Sequence, residues 1–193
     1  DHAFWLGVKS ADYFLEFRKF GVQLSSERRG IPRSKMFLAP YYPVTNSKTF
    51  AGFPEIVKGR VIGFSGAAYY KIYGKKGQFL KLIKRALDEN PNFIFLFAGA
   101  GNPKTLKKFI EQNNFEDRFI LLGNRKDINE VFKHIDIYIN TFPLIGALMT
   151  QLAIMNRKPL LTYSTPDLPV NFMEFFLDVD EHSDYTIYDE DTF

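Results

Sequence analysis

The sequence predicts an α/β protein built on a doubly wound, Rossmann-like parallel sheet. Three observations carry that expectation. Unbroken apolar runs such as Phe93–Ala98 (FIFLFA) suit strands covered on both faces, amphipathic segments such as Gln78–Leu87 lie between them, and the two kinds alternate from residue 61 to residue 163. With 193 residues, 46% of them apolar, the chain is long enough for one sizeable core.

The elements follow in order. Tyr13–Phe17 (YFLEF) and Lys35–Leu38 read as short strands, with the polar, basic stretch Ser25–Pro32 between them. Ala39–Pro54 holds Pro40, Pro43, Gly52 and Pro54, which disfavours regular structure. Arg60–Ser65 is a buried strand. Gln78–Leu87 places Phe79, Leu82, Ile83, Ala86 and Leu87 on one helical face and stops at Asn90–Pro91. After the FIFLFA strand, Pro103 begins a helix carrying Leu106, Phe109 and Ile110 inward. Phe119–Leu122 is a strand, and Asp127 caps a short helix with Ile128, Val131 and Phe132. Ile135–Ile139 is again a strand, followed by a turn at Thr141–Phe142–Pro143. Gly146 opens a helix that ends near Asn156, and Lys158–Pro159 leads into the strand Leu160–Tyr163. Phe172–Leu177 suits a turn or two of helix. Residues 1–58 therefore read as the end of one domain and a connection, 59–177 as the main domain, and 178–193 as an acidic segment.

Charge is unevenly spread. The net +3 conceals seven acids and no Lys or Arg in residues 178–193, which leaves 25 basic against 15 acidic residues elsewhere. A body at +10 suits anionic ligands such as nucleotide diphosphates or an anionic membrane surface, and equally a solvated basic face. No apolar run reaches the ~18–20 residues that span a bilayer. The start at Asp1–His2 has neither an initiator Met nor a signal-peptide pattern, and reads as part of a longer protein. Absence of cysteine excludes disulfides and thiolate metal sites and suits a reducing compartment. A cytoplasmic location is expected, with the inner face of a membrane as an alternative. The histidines His2, His134 and His182 are dispersed, and no metal site is expected. Asp178–Val179–Asp180 lies in the acidic segment and reads as a solvated run.

Gly146, opening a helix after a parallel strand, is a natural anion position or an ordinary strand-to-helix connection. The surrounding pattern decides how it is read. Asp136, Thr141, Pro143, Gly146 and Pro159 stand in register with the donor-site motif of B-type-fold nucleotide-sugar glycosyltransferases, which the segment resembles, especially the O-linked N-acetylglucosamine transferase branch. The resemblance implies a donor-binding domain. Tyr69–Ile72 (YYKI) is similar to the family's Tyr-Lys-Ile element, whose lysine neutralises the donor diphosphate, here Lys71. Related families use a Lys-Gly pair before the helix, here Lys76–Gly77. Ser65–Gly66 permits close backbone approach, and Gly99–Ala100–Gly101 resembles the family's Gly-x-Gly turn rather than a dinucleotide fingerprint. Arg125, in the turn where these enzymes read the base, is a base-contact candidate. Trp5–Gly7 and Ala11–Tyr13 resemble the last acceptor-domain strand, and Glu27–Pro40 the crossing to the donor domain. His2, on that side, is a candidate general base for an acceptor hydroxyl, set against an ordinary structural histidine.

The departures are specific. Leu144 and Leu152 stand where retaining members place two glutamates eight apart. Ala147, Leu148 and Met149 replace a His-Thr-Thr run, which leaves Thr150 and Gln151 to contact phosphate and ribose. The resemblance thus implies the donor half of a transferase that moves a sugar from a nucleotide donor to a glycan, lipid-linked or protein acceptor. No bound cofactor, no metal and no nucleic-acid partner is expected. Two rivals stay open: a sugar-nucleotide epimerase of the same fold, and a non-catalytic domain partnering an active transferase.

Overall fold

A computed structural model describes residues 8–39, 43, 45, 48–168, 173 and 186–188. The main unit is a five-stranded, all-parallel sheet formed by β3 (Val61–Gly66), β4 (Phe93–Ala98), β5 (Phe119–Gly123), β6 (Ile137–Ile139) and β7 (Leu160–Leu161). The strand order is β5-β4-β3-β6-β7. The chain winds outward from β3 through β4 to β5, then returns to the other side of β3 with β6 and continues to β7. The winding therefore reverses between β3 and β6, which pair in parallel at Gly63–Ile137 and Phe64–Tyr138. In such sheets the crevice above the strand ends at the reversal is where ligands bind.

The helices α2 (Gln78–Glu89), α3 (Lys104–Gln112), α4 (Ile128–Val131) and α5 (Ala147–Met155) connect these strands. Alternation along β4 explains why its sequence is apolar throughout. Phe93, Phe95 and Phe97 join one core with Phe79, Leu82, Ile83, Leu87, Leu106 and Phe119. Ile94, Leu96 and Ala98 join a second core with Phe64, Val131, Phe132, Tyr138, Leu152 and Ala153 on the opposite face. Asp136, part of the recognised motif, accepts the Ile62 amide at 2.7 Å and so locks the entry of β6 onto β3.

Before this sheet in the chain lies a second, two-stranded one. β1 (Phe14–Glu16) and β2 (Met36–Leu38) pair in parallel, joined by α1 (Lys19–Arg29). The Ser25 hydroxyl on α1 donates to the Glu16 carboxylate. One face of this two-stranded sheet is bare: Tyr13 and Leu15 are 70% and 75% exposed, and Phe37 is half exposed.

The observed elements correct several expectations. α1 was not expected within the polar, basic stretch; it ends on Gly30 in a left-handed conformation (φ 63°) that accommodates glycine. The strand expected over Leu160–Tyr163 shortens to Leu160–Leu161, and Tyr163 instead forms a parallel bridge with Ile187. Phe109 points inward as expected, partly buried against Phe115 and Phe119. Asp127 precedes α4 but makes no side-chain cap, because its carboxylate is engaged elsewhere. His2, His182, Trp5–Gly7, Asp178–Asp180 and all of Phe172–Leu177 except Met173 lie outside the described residues.

Candidate functional site

A crevice of about 340 Å³ opens above the C-terminal ends of β3, β4 and β5. Its wall is made of Gly66, Ala67 and Ala68 after β3, Ala98–Ala100 after β4, Asn124, Arg125 and Ile128 after β5, and Met149 in the first turn of α5. The small residues have a steric cause. A Cβ on Gly99 would stand 1.9 Å from the Ala67 carbonyl oxygen, and one on Gly66 would stand 2.8 Å from Met149 Sδ. The backbones of the loops after β3 and β4 thus approach more closely than a side chain on Gly99 would allow.

Gly146 lies beside Gly66, with a Cβ built on it 3.2 Å from the Gly66 carbonyl oxygen. Its φ is −91°, so it is not held in a conformation reserved for glycine. The Cβ vector also points 2.9 Å from Tyr138 Oη, into the core. A side chain here would therefore press on buried atoms. The Gly146 amide donates to Asn140 Oδ1 at 3.0 Å, and Tyr138 Oη donates to the same oxygen at 3.3 Å. The next three amides, of Ala147, Leu148 and Met149, are first-turn donors that a helix cannot satisfy internally. The positive end of the α5 dipole lies at this same end of the helix.

Lys71 sits in the short 3-10 turn Tyr69–Ile72, and its Nζ donates to the Ile145 carbonyl at 3.2 Å. The ammonium is therefore fixed one residue before Gly146. Partial burial holds its pKa below the ordinary lysine value. Lys76, the alternative, is exposed and adopts a left-handed conformation (φ 56°, ψ 30°) ahead of α2.

Two other expected contacts, Ser65 and Thr150, are turned away from the crevice. Ser65 is fully buried, its hydroxyl donating to the Ile139 carbonyl and stitching β3 to β6. Thr150 is fully buried as well, and its hydroxyl donates to the Gly146 carbonyl at 3.1 Å. Position within the helix explains this: residue 150 lies one turn on from Gly146, on the face packed against the sheet. Burial raises the Tyr138 pKa well above the ordinary tyrosine value, so the phenol stays protonated as a donor. Gln151 is half-buried on α5. Arg125 lines the crevice, but three of its N–H donors are committed: Nε and one terminal nitrogen to the two Asp127 carboxylate oxygens at 2.7 and 2.6 Å, the other to the Gly52 carbonyl at 2.9 Å.

Asn140 and Tyr138 were not singled out from sequence. A polar residue closing the apolar IYI strand was the available signal for Asn140. Apolar side chains stand at the helix entrance, where Leu144 is 49% and Leu148 41% exposed. Among the described residues, no group of three or more His, Asp or Glu side chains is placed to hold a metal, and no helix is long and apolar enough to cross a membrane.

No family model matches the chain, and no curated protein matches it. Solved structures do. The chain is similar to a mutant of S. aureus TarM, solved in complex with fondaparinux, alpha-GlcNAc-glycerol and UDP, with a TM-score of 0.68 and 14% identity over 94% of this chain and 34% of that one. It is similar to the pneumococcal O-GlcNAc transferase GtfA, solved with UDP and GlcNAc, with a TM-score of 0.65 and 18% identity over 97% and 37%. WaaG, a glycosyltransferase involved in lipopolysaccharide biosynthesis, matches with a TM-score of 0.59 and 12% identity over 78% and 44%. At these identities the likeness establishes the fold. It is the Rossmann-like B-type fold carried by nucleotide-sugar glycosyltransferases, as the motif around Gly146 implied. The chain spans between a third and a half of the length of these proteins.

Proposed function

We propose that this chain is the donor-binding part of a glycosyltransferase, holding a nucleotide diphosphate sugar in the crevice above β3, β4 and β5. The observation that carries the reading is the convergence of Gly66, Gly146 and the Lys71 ammonium at the point where the sheet winding reverses. A diphosphate leaving group gains negative charge as the glycosidic bond breaks. First-turn amides of α5 and a lysine fixed beside them would stabilise that charge more in the transition state than in the ground state. These fixed positive groups are the reason for expecting no metal requirement. Residues 59–177 are taken as the donor domain and 1–58 as the acceptor-side end with its connection. The bare face of the β1–β2 sheet supports that division, since two strands alone rarely hold together in water. The acceptor is a glycan, lipid-linked or protein hydroxyl, with His2 as its candidate general base. Action in the cytoplasm, at or near an inner membrane face, belongs to the same proposal.

A specific observation favours one rival. α5 carries no charged side chain, Leu152 faces the core, and exposed Leu144 and Leu148 flank the helix entrance. Such a site suits a domain that keeps the fold, has lost polar donor contacts and pairs with an active transferase. An epimerase finds no such support, because among the described residues no carboxylate or histidine lines the crevice. Titration with UDP, GDP and ADP, each against its nucleoside, separates the readings. Diphosphate-selective saturation supports donor binding; no binding of any of them supports the non-catalytic partner.

A further inference from the structure

Beside the crevice, the irregular stretch Lys48–Phe53 is fastened to the turn after β5 by one buried ion pair. Asp127, 6% exposed, accepts from Arg125 through both oxygens, and its Oδ2 also accepts the Ala51 amide at 2.8 Å. Arg125 reaches back to the Gly52 carbonyl and lies over the rings of Phe50 and Phe53, 5.6 and 5.7 Å from their centroids. Phe50 in turn stacks on His134 at 3.9 Å with an interplanar angle of 11°. Two backbone groups and two aromatic rings of an otherwise unstructured segment are therefore held by two adjacent side chains. Asn124 and Arg125 form a wall of the crevice and, on their other side, a wall of a second cavity of about 250 Å³ shared with Lys48, Thr49 and Ala51. The pair thus ties the turn that shapes the crevice to the strap behind it.

We propose that the Arg125–Asp127 pair is a latch that fixes the Lys48–Phe53 strap and thereby sets the crevice wall. Asp127 is then a positioning residue for the ligand, which touches the Arg125 side of the wall and not Asp127 itself. The ligand part of this inference rests on the reading of the crevice as the nucleotide site. The chemistry of the latch is demanding. Asp127 presents oxygens to three N–H donors, so replacing one oxygen by an amide nitrogen sets a donor against a donor. Asp127→Asn thus breaks the latch with almost no change of volume.

The test combines amide hydrogen exchange with UDP titration on the whole chain. In Asp127→Asn, exchange of the Ala51 amide should rise tenfold or more, while amides in β3 and β4 keep their protection. UDP and uridine should both weaken by tenfold or more, because the wall and not the diphosphate end is displaced. Phe50→Leu, which leaves the ion pair intact and weakens only the aromatic grip, should give the same pattern at smaller size and serves where Asp127→Asn does not fold. Unchanged Ala51 exchange in both variants overturns the latch. A loosened strap with unchanged UDP affinity overturns the positioning role. A wild-type chain that binds no nucleotide diphosphate overturns the nucleotide reading of the crevice, and with it the positioning role, whereas the exchange measurement without ligand still reads the latch.

Discussion

Gly146→Ala is the most exacting test of the packing under the helix entrance. The added Cβ would stand 2.9 Å from Tyr138 Oη and 3.2 Å from the Gly66 carbonyl oxygen. Tyr138 is fully buried and its phenol donates to Asn140, so the ring has little room to yield. With φ at −91°, backbone strain does not enter, and the cost is one of overpacking. Overpacking costs about 1–3 kcal/mol, and alanine's stiffer unfolded chain returns about 0.4–1 kcal/mol, so a net loss of about 1–2 kcal/mol is expected. For a domain of this size that lowers the melting temperature by roughly 2–8 °C. The assay is a pair of melting curves followed by a double-mutant cycle with Tyr138→Phe, which removes the oxygen that the new methyl meets. Alone, Tyr138→Phe forfeits a hydrogen bond worth about 0.5–1.5 kcal/mol. Combined, the two should cost less than their sum by about 1 kcal/mol. An unaltered melt for Gly146→Ala, or strict additivity, would refute the account of why glycine stands there.

Further expectations follow from the charged groups. Lys71→Ala should weaken nucleotide-diphosphate binding by about 1–3 kcal/mol and leave the nucleoside nearly unaffected, since the ammonium addresses only phosphate. Lys76→Ala should leave both unchanged by isothermal titration, and a selective loss in Lys76→Ala instead would transfer the role. Because burial lowers the Lys71 pKa, diphosphate affinity should fall on the alkaline side before the ordinary lysine range is reached, a decline absent from Lys71→Ala. Asp127 behaves in the opposite sense. Hydrogen bonds from Arg125 hold its carboxyl well below the ordinary carboxylate range, so the folded state binds the proton less tightly than the unfolded chain. Its stabilisation is complete above about pH 4 and is lost as pH falls below that. The melting gap between wild type and Asp127→Asn should accordingly persist from neutral pH to about pH 4 and narrow only in stronger acid.

How much of this was legible in the sequence depends on what each signal encodes. The β4 strand was read to its true bounds because a strand covered on both faces must be apolar at every position. The Gly146 helix start was read correctly from the turn before it. α1 was missed because its stripe is weak, with Ser25 its only buried residue; Arg28, Arg29 and Gly30 were its available stop signal. Side-chain direction was the larger gap. Ser65 and Thr150 have the chemistry of ligand contacts, yet both point into the sheet, and one residue's shift along a strand or helix reverses that outcome. Arg125 was placed in the right turn, but its hold on Gly52 and the grip of Asp127 on Ala51 are contacts across more than 70 positions, which no local pattern reveals.

The most direct test of the central claim is an amide-resolved NMR titration of this chain with UDP. Donor binding in the crevice predicts saturable shifts at Gly66, Gly99, Ala147, Leu148 and Met149, abolished at the α5 amides when uridine replaces UDP. Saturating UDP without a shift at any of these five amides would contradict it.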